Sequence, residues 1–359
     1  MTARLSAVCH LTYAFEVGLA IDLDRCDRVL AATSRQTVGS SRRVPRYFDY
    51  RPPPLRVDAG PGAAIAGLVA SKVEIVLLDF GAAAVAYQLP FAGTAEALAT
   101  LSESLQANVA FEQDARRRID ALLPTLGDAV SRPKRGPISE DYLVIAIDPA
   151  TLPGDSTSWL RDHTREFAAM LRGGAGGLAP EELDDAVAEH LSFARTDLTI
   201  IDWNAAIIVD PEPDDTRLLL EFANLQLLEL RHLDGELDRA LERGYDMVAR
   251  TERRWRHPLR PPASALRHIG ELQMDAAALF ERVSSAVKLV GDQFFGRVYL
   301  AVSRRFHFEA WDRAISRKLD VLDGIYQKVG DRITARRLEV LEWIVIILIA
   351  AELILGFAK

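Results

Sequence analysis

The period of the hydrophobic positions changes along the chain and divides it. SAVCHLTYAF (6–15) and DYLVIAIDP (141–149) are short apolar runs with the length and residue types of strands. VEIVLLDFGAAAVAYQ (73–88) and DLTIIDWNAAIIVDPE (197–212) each read as a β-rich run, a short break and a second apolar run. They align without gaps, with Asp79 on Asp202, Phe80 on Trp203, Gly81 on Asn204 and Ala82-Ala83 on Ala205-Ala206. Gly and Asn are the residues that best tolerate positive φ, so both segments are expected to be hairpins turning at the same place. Each hairpin has a strand and a helical segment before it (helices over 17–34 and 156–190) and a helix after it (93–121 and 214–248). The pattern predicts an α+β head built from a duplicated β-α-β-β-α unit, with a first half over 1–130 and a second over 131–249. Chance similarity of two apolar hairpins is the alternative.

RPPPLRVDAGPGAA (51–64) and SRPKRGP (131–137) are Pro/Gly-rich and read as loops. GDSTSWLRD (154–162) offers Asp155 or Ser156 as a helix N-cap, and DPEPDD (210–215) ends in caps for the helix that follows. RTERRWRHPLRPP (250–262) sets arginines around Trp255 and closes with prolines, marking a basic linker. Beyond it, 263–338 reads as an all-α stalk with coiled-coil-like spacing, as in Ile315, Leu319, Leu322, Ile325 and Val329. The last segment, 339–359, contains VLEWIVIILIAAELILGFAK. As a helix, Val340 to Ala358 spans roughly 28 Å, close to the thickness of bilayer hydrocarbon. Arg332, Arg336 and Arg337 precede it and Trp343 sits near its start, which predicts a transmembrane helix with the bulk of the chain on the cytoplasmic side. Glu342 and Glu352 oppose that reading; ten residues apart they share one side of the helix and are expected to face a bundle interior. A buried oligomerisation helix of a soluble protein is the alternative.

The formal charge of −8 argues against a nucleic-acid sheath. Cys9 and Cys26 have no CxxC spacing and indicate neither a disulfide framework nor a zinc site. MTARLSAVCHLTYAF lacks a long apolar run behind a basic start, so no cleavable secretory signal is expected.

Candidate chemistry centres on LEFANLQLLELR (220–231), where Glu221, Asn224, Gln226, Glu229 and Arg231 interrupt a leucine run. On a helical wheel Leu219, Phe222, Ala223, Leu230, Leu233, Leu237 and Leu241 share one face. Glu221, Asn224, Arg231, Asp238 and Glu242 lie on the other, and Gln226 falls within the apolar one. This predicts an amphipathic helix rather than a catalytic carboxylate pair. Asp210, Glu212, Asp214 and Asp215 lack the spacing and central glycine of an EF-hand, and no metal or cofactor site is expected. No GxGxxG, P-loop, HExxH or kinase set is present, despite Asp79-Phe80-Gly81. A hydrolase or nucleotide-handling site at Asp202, Glu221 and Asn224 remains as an alternative and requires those groups to converge. Arg250, Arg253, Arg254, Arg256 and Arg260 are candidate contacts for anionic lipid or RNA.

LEFANLQLLELRHLDGELD (220–238), preceded by TIIDWNAAIIVDPEPDD and followed by GDQFFGRVYLAVSRRFHFEAWDRAISRKLDVLDGIY (291–326), resembles the "required for meiotic nuclear division" protein family, as does the approach RRLEVLEWIVIILIAAELIL to the tail. The resemblance is strongest from about 197 onwards; in the first 130 residues it rests on the VLLDFGAAAVAY hairpin. It implies a membrane-anchored, self-associating protein of the bacterial inner membrane with no established catalysis. Mitochondrial members of the family support translation as tethers near ribosomes, so a ribosome or RNA partner is a further expectation. It also implies that Asp202, Trp203, Asn204, Glu221, Asn224, Gln226, Glu229 and Arg231 serve packing against the head and between subunits.

Overall fold

The computed structural model describes residues 4–33, 40–41, 52–60, 62, 64–174, 176–253, 270, 274 and 293–357. Its contacts divide the chain into two units, Met1–His232 with Arg282–Ala310, and Leu233–Glu281 with Trp311–Lys359.

The first unit begins with β1 (Leu5–Glu16), β2 (Ala20–Ile21) and α1 (Leu23–Thr33). The short strands β3 (Ser40–Ser41), β4 (Leu55–Asp58), β5 (Ala64–Ile65) and β6 (Leu68–Val69) follow, then the hairpin β7 (Lys72–Leu77) and β8 (Ala82–Gly93). Helices α2 (Ala95–Gln106) and α3 (Val109–Leu126) lead to β9 (Val130–Ser131) and β10 (Ser139–Ile147). Then come α4 (Ser156–Asp162), α5 (Thr164–Arg172), α6 (Pro180–Ala186), β11 (His190–Leu191) and the hairpin β12 (Leu198–Ile201) and β13 (Ala205–Val209). The leucine-rich signature lies in α7 (Asp214–Arg253), and α8 (Gln293–Arg305) completes the unit.

This is an α+β fold around a mixed nine-stranded sheet of order β11-β12-β13-β10-β1-β8-β7-β4-β3. The two long central strands, β1 and β10, are antiparallel, and each is flanked by one predicted hairpin. The order of elements thus follows the expected repeat, but the pairing does not: β8 runs antiparallel to β1, whereas β13 runs parallel to β10. A parallel neighbour needs a crossover connection, which α4, α5 and α6 supply.

Both hairpins form, yet only one turns on positive φ. Gly81 has φ +100°, and a Cβ there would run into the Gly18 carbonyl. Asn204 is not among the positive-φ residues. Pro-rich 51–64 contains β4, which pairs with β7, so it is not simply a loop. Leu55, Arg56 and Val57 are buried there; prolines at 52–54 precede the strand, where a missing N–H costs no ladder bond. The helix expected over 156–190 is three short helices, and Asp155 caps the first of them through the Ser158 N–H at 3.1 Å.

Alternation along the strands assigns the two faces of the sheet. Cys9, Leu11, Tyr13 and Phe15 of β1, Val85 and Tyr87 of β8, and Leu143 and Ile145 of β10 enter one apolar core with Leu98, Phe111, Ile119 and Phe167 from α2, α3 and α5. The residues between them, His10, Thr12 and Glu16 of β1 and Glu140 and Tyr142 of β10, face the other way and are also buried. On that face β8 presents Ala82, Ala84 and Ala86, whose small side chains let an element approach closely.

In the second unit, α7 continues beyond His232, and α9 (Phe308–Phe357) continues beyond Ala310. Ile315, Leu322 and Ile325 are buried, as the spacing predicts; Leu319 is half-buried. Lys318 Nζ bridges Asp234 at 2.6 Å and Asp238 at 2.7 Å. The expected stalk boundaries differ from these units: α8, placed in the stalk by its sequence position, belongs with the head, and the division of α7 falls after His232 rather than at 250–262. Among the described residues, no helix is long and apolar enough to cross a membrane. The anchor expected over 339–359 extends past Ala350, where side chains lie outside the described residues, Glu352 among them.

Candidate functional site

Between Thr216 and Leu230 every residue of α7 is buried. The amphipathic expectation is therefore corrected: the face carrying Glu221 and Asn224 is turned to the sheet, not to water, and Arg231 just beyond is exposed. Glu221 receives Arg56 Nη2 of β4 at 2.7 Å and pairs with Arg217 one turn earlier on α7. Arg56 also lies 3.5 Å from Glu74 of β7, and Arg217 reaches Asp214 at 3.2 Å. Burial pushes the Glu221 carboxyl up, but Arg217 and Arg56 outweigh it and hold it down at about 2. His10 of β1 adjoins the same cluster; burial, then Arg217, lowers its pKa to about 4, so its imidazole is neutral at neutral pH. Among the described residues, His10 Nδ1, Arg56 Nε and Asn224 Nδ2 have no hydrogen-bond partner.

Further along α7, Gln226 accepts the Tyr299 hydroxyl of α8 at 2.7 Å. Arg231 pairs with Glu140 of β10, and His232 Nδ1 meets the Glu16 carboxylate of β1. Glu140 is pushed up to about 7 by burial, against the pull of Arg231. Glu229 is 1% exposed and its Oε1 accepts no hydrogen bond among the described residues.

Asp202 is the hub of a separate network. It is 1% exposed at the β12–β13 turn, where its N–H donates to the Ala205 carbonyl at 2.9 Å. Arg172, last residue of α5, donates Nε to Oδ2 at 2.9 Å, and Arg305, last residue of α8, donates Nε to Oδ1 at 2.8 Å. Both arginines continue to Asp185 of α6, at 2.5 Å and 2.8 Å. Hydrogen bonds from Arg305 and then Arg172 lower the Asp185 carboxyl to about 2. The Tyr142 hydroxyl donates to the Asp202 carbonyl at 3.1 Å, and its ring meets Phe306 edge-on at 5.5 Å. Two helices, α5 and α8, are thereby tied to the β12–β13 hairpin at one carboxylate, and a third, α6, joins them through Asp185.

Asp202 and Glu221 share no partner among the described residues: the first is held by Arg172 and Arg305, the second by Arg56 and Arg217. The convergence that the enzyme alternative requires is not formed. Asp202, Glu221, Asn224, Gln226 and Glu229 are all buried by their own chain. Trp203 and Asn204 sit at the exposed turn; Trp203 meets His307 edge-on at 4.9 Å, and the Asn204 carbonyl accepts the Leu143 N–H at 2.9 Å. The side chains of Arg250, Arg253, Arg254, Arg256 and Arg260 lie outside the described residues. Glu342 is exposed on α9. No group of three His, Cys, Asp or Glu side chains among the described residues is placed to hold a metal ion, the acidic segment 210–215 included.

Sequence reasoning missed Glu16, Arg56, Glu140, Arg172, Arg217 and Arg305. Glu16 was within reach: His10, Thr12 and Glu16 alternate with Cys9, Leu11, Tyr13 and Phe15, the signature of a strand whose second face is polar and partnered. Arg56 and Arg305 had no such signal, because each finds its carboxylate across a long stretch of chain; Arg217 lies four residues before Glu221, a spacing that pairs along a helix.

The geometry defines a class: an α+β domain whose mixed sheet carries an apolar core on one face and, on the other, a long helix fastened by buried ion pairs. The chain belongs to the family described as "Uncharacterized protein MJ0711, N-terminal domain", which matches residues 6–216. That match spans the sheet and ends at the start of α7. The protein is similar to "Uncharacterized protein MJ0711" of Methanocaldococcus jannaschii, 23% identical over 208 residues. The similarity covers 57% of this chain and 63% of that relative, just under two thirds of its length. No solved structure matches the chain.

Proposed function

We propose that this protein is a non-catalytic, self-associating scaffold or tether, anchored through its C-terminal helix at the cytoplasmic face of a bacterial inner membrane. One observation carries the reading. From Leu341 to Ala350 every side chain of α9 is exposed, and they include Leu341, Trp343, Ile344, Val345, Ile346, Ile347, Leu348 and Ile349. Ten successive residues of a helix point in all directions, so the apolar surface surrounds the helix instead of forming one stripe. Burying each such side chain yields about 1.5–3 kcal/mol, and contiguous apolar surface of this kind marks a membrane or protein contact. Lipid can cover all sides at once; other copies of the helix can cover the sector around Glu342. The resemblance to the "required for meiotic nuclear division" family implies the same arrangement.

The head supports a scaffold over an enzyme because the carboxylates that a hydrolytic site would use are held by guanidinium groups. The test is fractionation of full-length protein and of a variant lacking 338–359, with native mass measured after detergent extraction. We expect the full chain in the membrane fraction as a discrete homo-oligomer carrying lipid, and the truncated head in the soluble fraction. Membrane retention of the truncated form overturns the anchor. A complex dominated by ribosomal components or RNA replaces the scaffold reading with that of a translation tether.

A further inference from the structure

One end of the polar face holds three carboxylates and fewer bases. β1 presents Glu16, β10 presents Glu140, and α7 presents Glu229, Arg231 and His232. His232 meets Glu16 and Arg231 pairs with Glu140, which leaves Glu229, buried and with an oxygen that accepts nothing among the described residues. The loop 132–138 closes over this group. Gly136 donates its N–H to the Glu16 carbonyl at 3.1 Å, and a Cβ on Gly136 would stand 2.8 Å from Glu16 Oε2. The loop also carries Lys134 and Arg135; Arg135 is turned to Asp120 of α3 at 2.5 Å. Asp141 of β10 faces the opposite side of the sheet.

A buried carboxylate oxygen without a donor is costly, and the ordinary response is to keep the proton. We propose that Glu229 is the proton-carrying member of a latch between α7 and β1, closed while its carboxyl is neutral and loosened when it ionises beside Glu16. Burial, and then Glu16, hold its pKa well above the usual carboxylate range. The latch sits at the end of the α7 segment that belongs to the first unit, since His232 is the last residue of α7 in that unit. Ionisation here acts on the anchorage of the helix and leaves the Arg56–Glu221–Arg217 cluster, two turns and more away, in place. The inference is independent of the membrane reading.

A group whose folded-state pKa is raised contributes stability that is fully present below its unfolded pKa and is lost as pH rises through the folded one. The experiment compares full-length wild type, Glu229→Gln and Glu140→Gln in detergent, following denaturation midpoints and hydrogen exchange of residues 225–232 from acid to alkaline pH. Gln mimics the protonated carboxyl. We expect wild type to lose stability as pH rises and its exchange, corrected for intrinsic rate, to accelerate in α7. Glu229→Gln should lose less, keeping only the part of the slope that belongs to Glu140, and Glu140→Gln should retain the part that belongs to Glu229. Equal slopes in wild type and Glu229→Gln overturn the proposal. If Glu229→Gln does not fold, infrared spectroscopy decides. A protonated-carboxyl C=O band at neutral pH that persists in Glu140→Gln supports the latch, and its absence refutes it.

Discussion

On β1, Cys9, Leu11, Tyr13 and Phe15 point into a core of aliphatic and aromatic side chains, while His10, Thr12 and Glu16, one residue out of step, meet α7 among ions and amides. Both sets are buried, and the same strand backbone carries both. The apolar face gains its stability from area removed from water and from close packing, which are non-directional. The polar face gains little net free energy from its ion pairs, because desolvation offsets most of the Coulomb attraction. What it gains is position: Arg56, Arg217 and Glu221 fit together in one register of α7 on the sheet, as do Arg231 with Glu140 and His232 with Glu16. One face is built for stability and the other for where the helix lies.

The sharpest way to break this contrast is to truncate one residue on each face. Phe111→Ala should cost about 3–5 kcal/mol through lost burial and a cavity. Glu221→Ala should cost a similar ~3–5 kcal/mol by leaving Arg56 and Arg217 buried without a counter-charge. The two then part: adding Arg56→Met and Arg217→Leu to a Glu221→Leu background should recover most of the loss in chemical denaturation, while no polar replacement rescues Phe111. Failure of the apolar triple variant to recover would mean that the ion pairs carry more net stability than their burial allows.

A pH series separates the faces next. Glu221 is depressed to about 2 and His10 to about 4. A depressed folded-state pKa contributes stability that is present above the unfolded value and lost as pH falls through the folded one. The stability contributed by these two groups should therefore decline from the ordinary histidine range downward and again as pH approaches 2. Phe111→Ala should lower the whole curve without changing its shape, whereas Glu221→Gln should flatten its acid limb. The smallest effect belongs to a neutral contact: Tyr299→Phe removes one buried hydrogen bond to Gln226 and should cost about 0.5–1.5 kcal/mol, seen as a modest shift in denaturation midpoint.

The leucine-rich run of α7 shows how much of this was legible in advance. Its helix, its start near Asp214 and its importance to packing follow from composition and spacing. Its orientation does not, because a wheel ranks faces by polarity and assumes that the polar side meets water. Here guanidinium groups from β4 and from α7 itself replace water. Arg56 lay in a stretch read as a Pro-rich loop, and Arg172 directly precedes Gly173 and Gly174, so neither stood out as a partner.

By itself the sequence determined the local periodicities: the two central strands, the two hairpins, the glycine at position 81, the long signature helix and the apolar tail. These follow from interactions within a few residues, where side-chain alternation and backbone sterics act directly. Only the tertiary structure decided that β13 runs parallel to β10, that α8 belongs with the head, and that Asp202 and Glu221 sit in separate ion-pair networks. Those outcomes depend on pairings such as Arg56 with Glu221 or Arg305 with Asp202, which lie 165 and 103 residues apart. A charge carries no mark of its distant partner until the sheet brings them together.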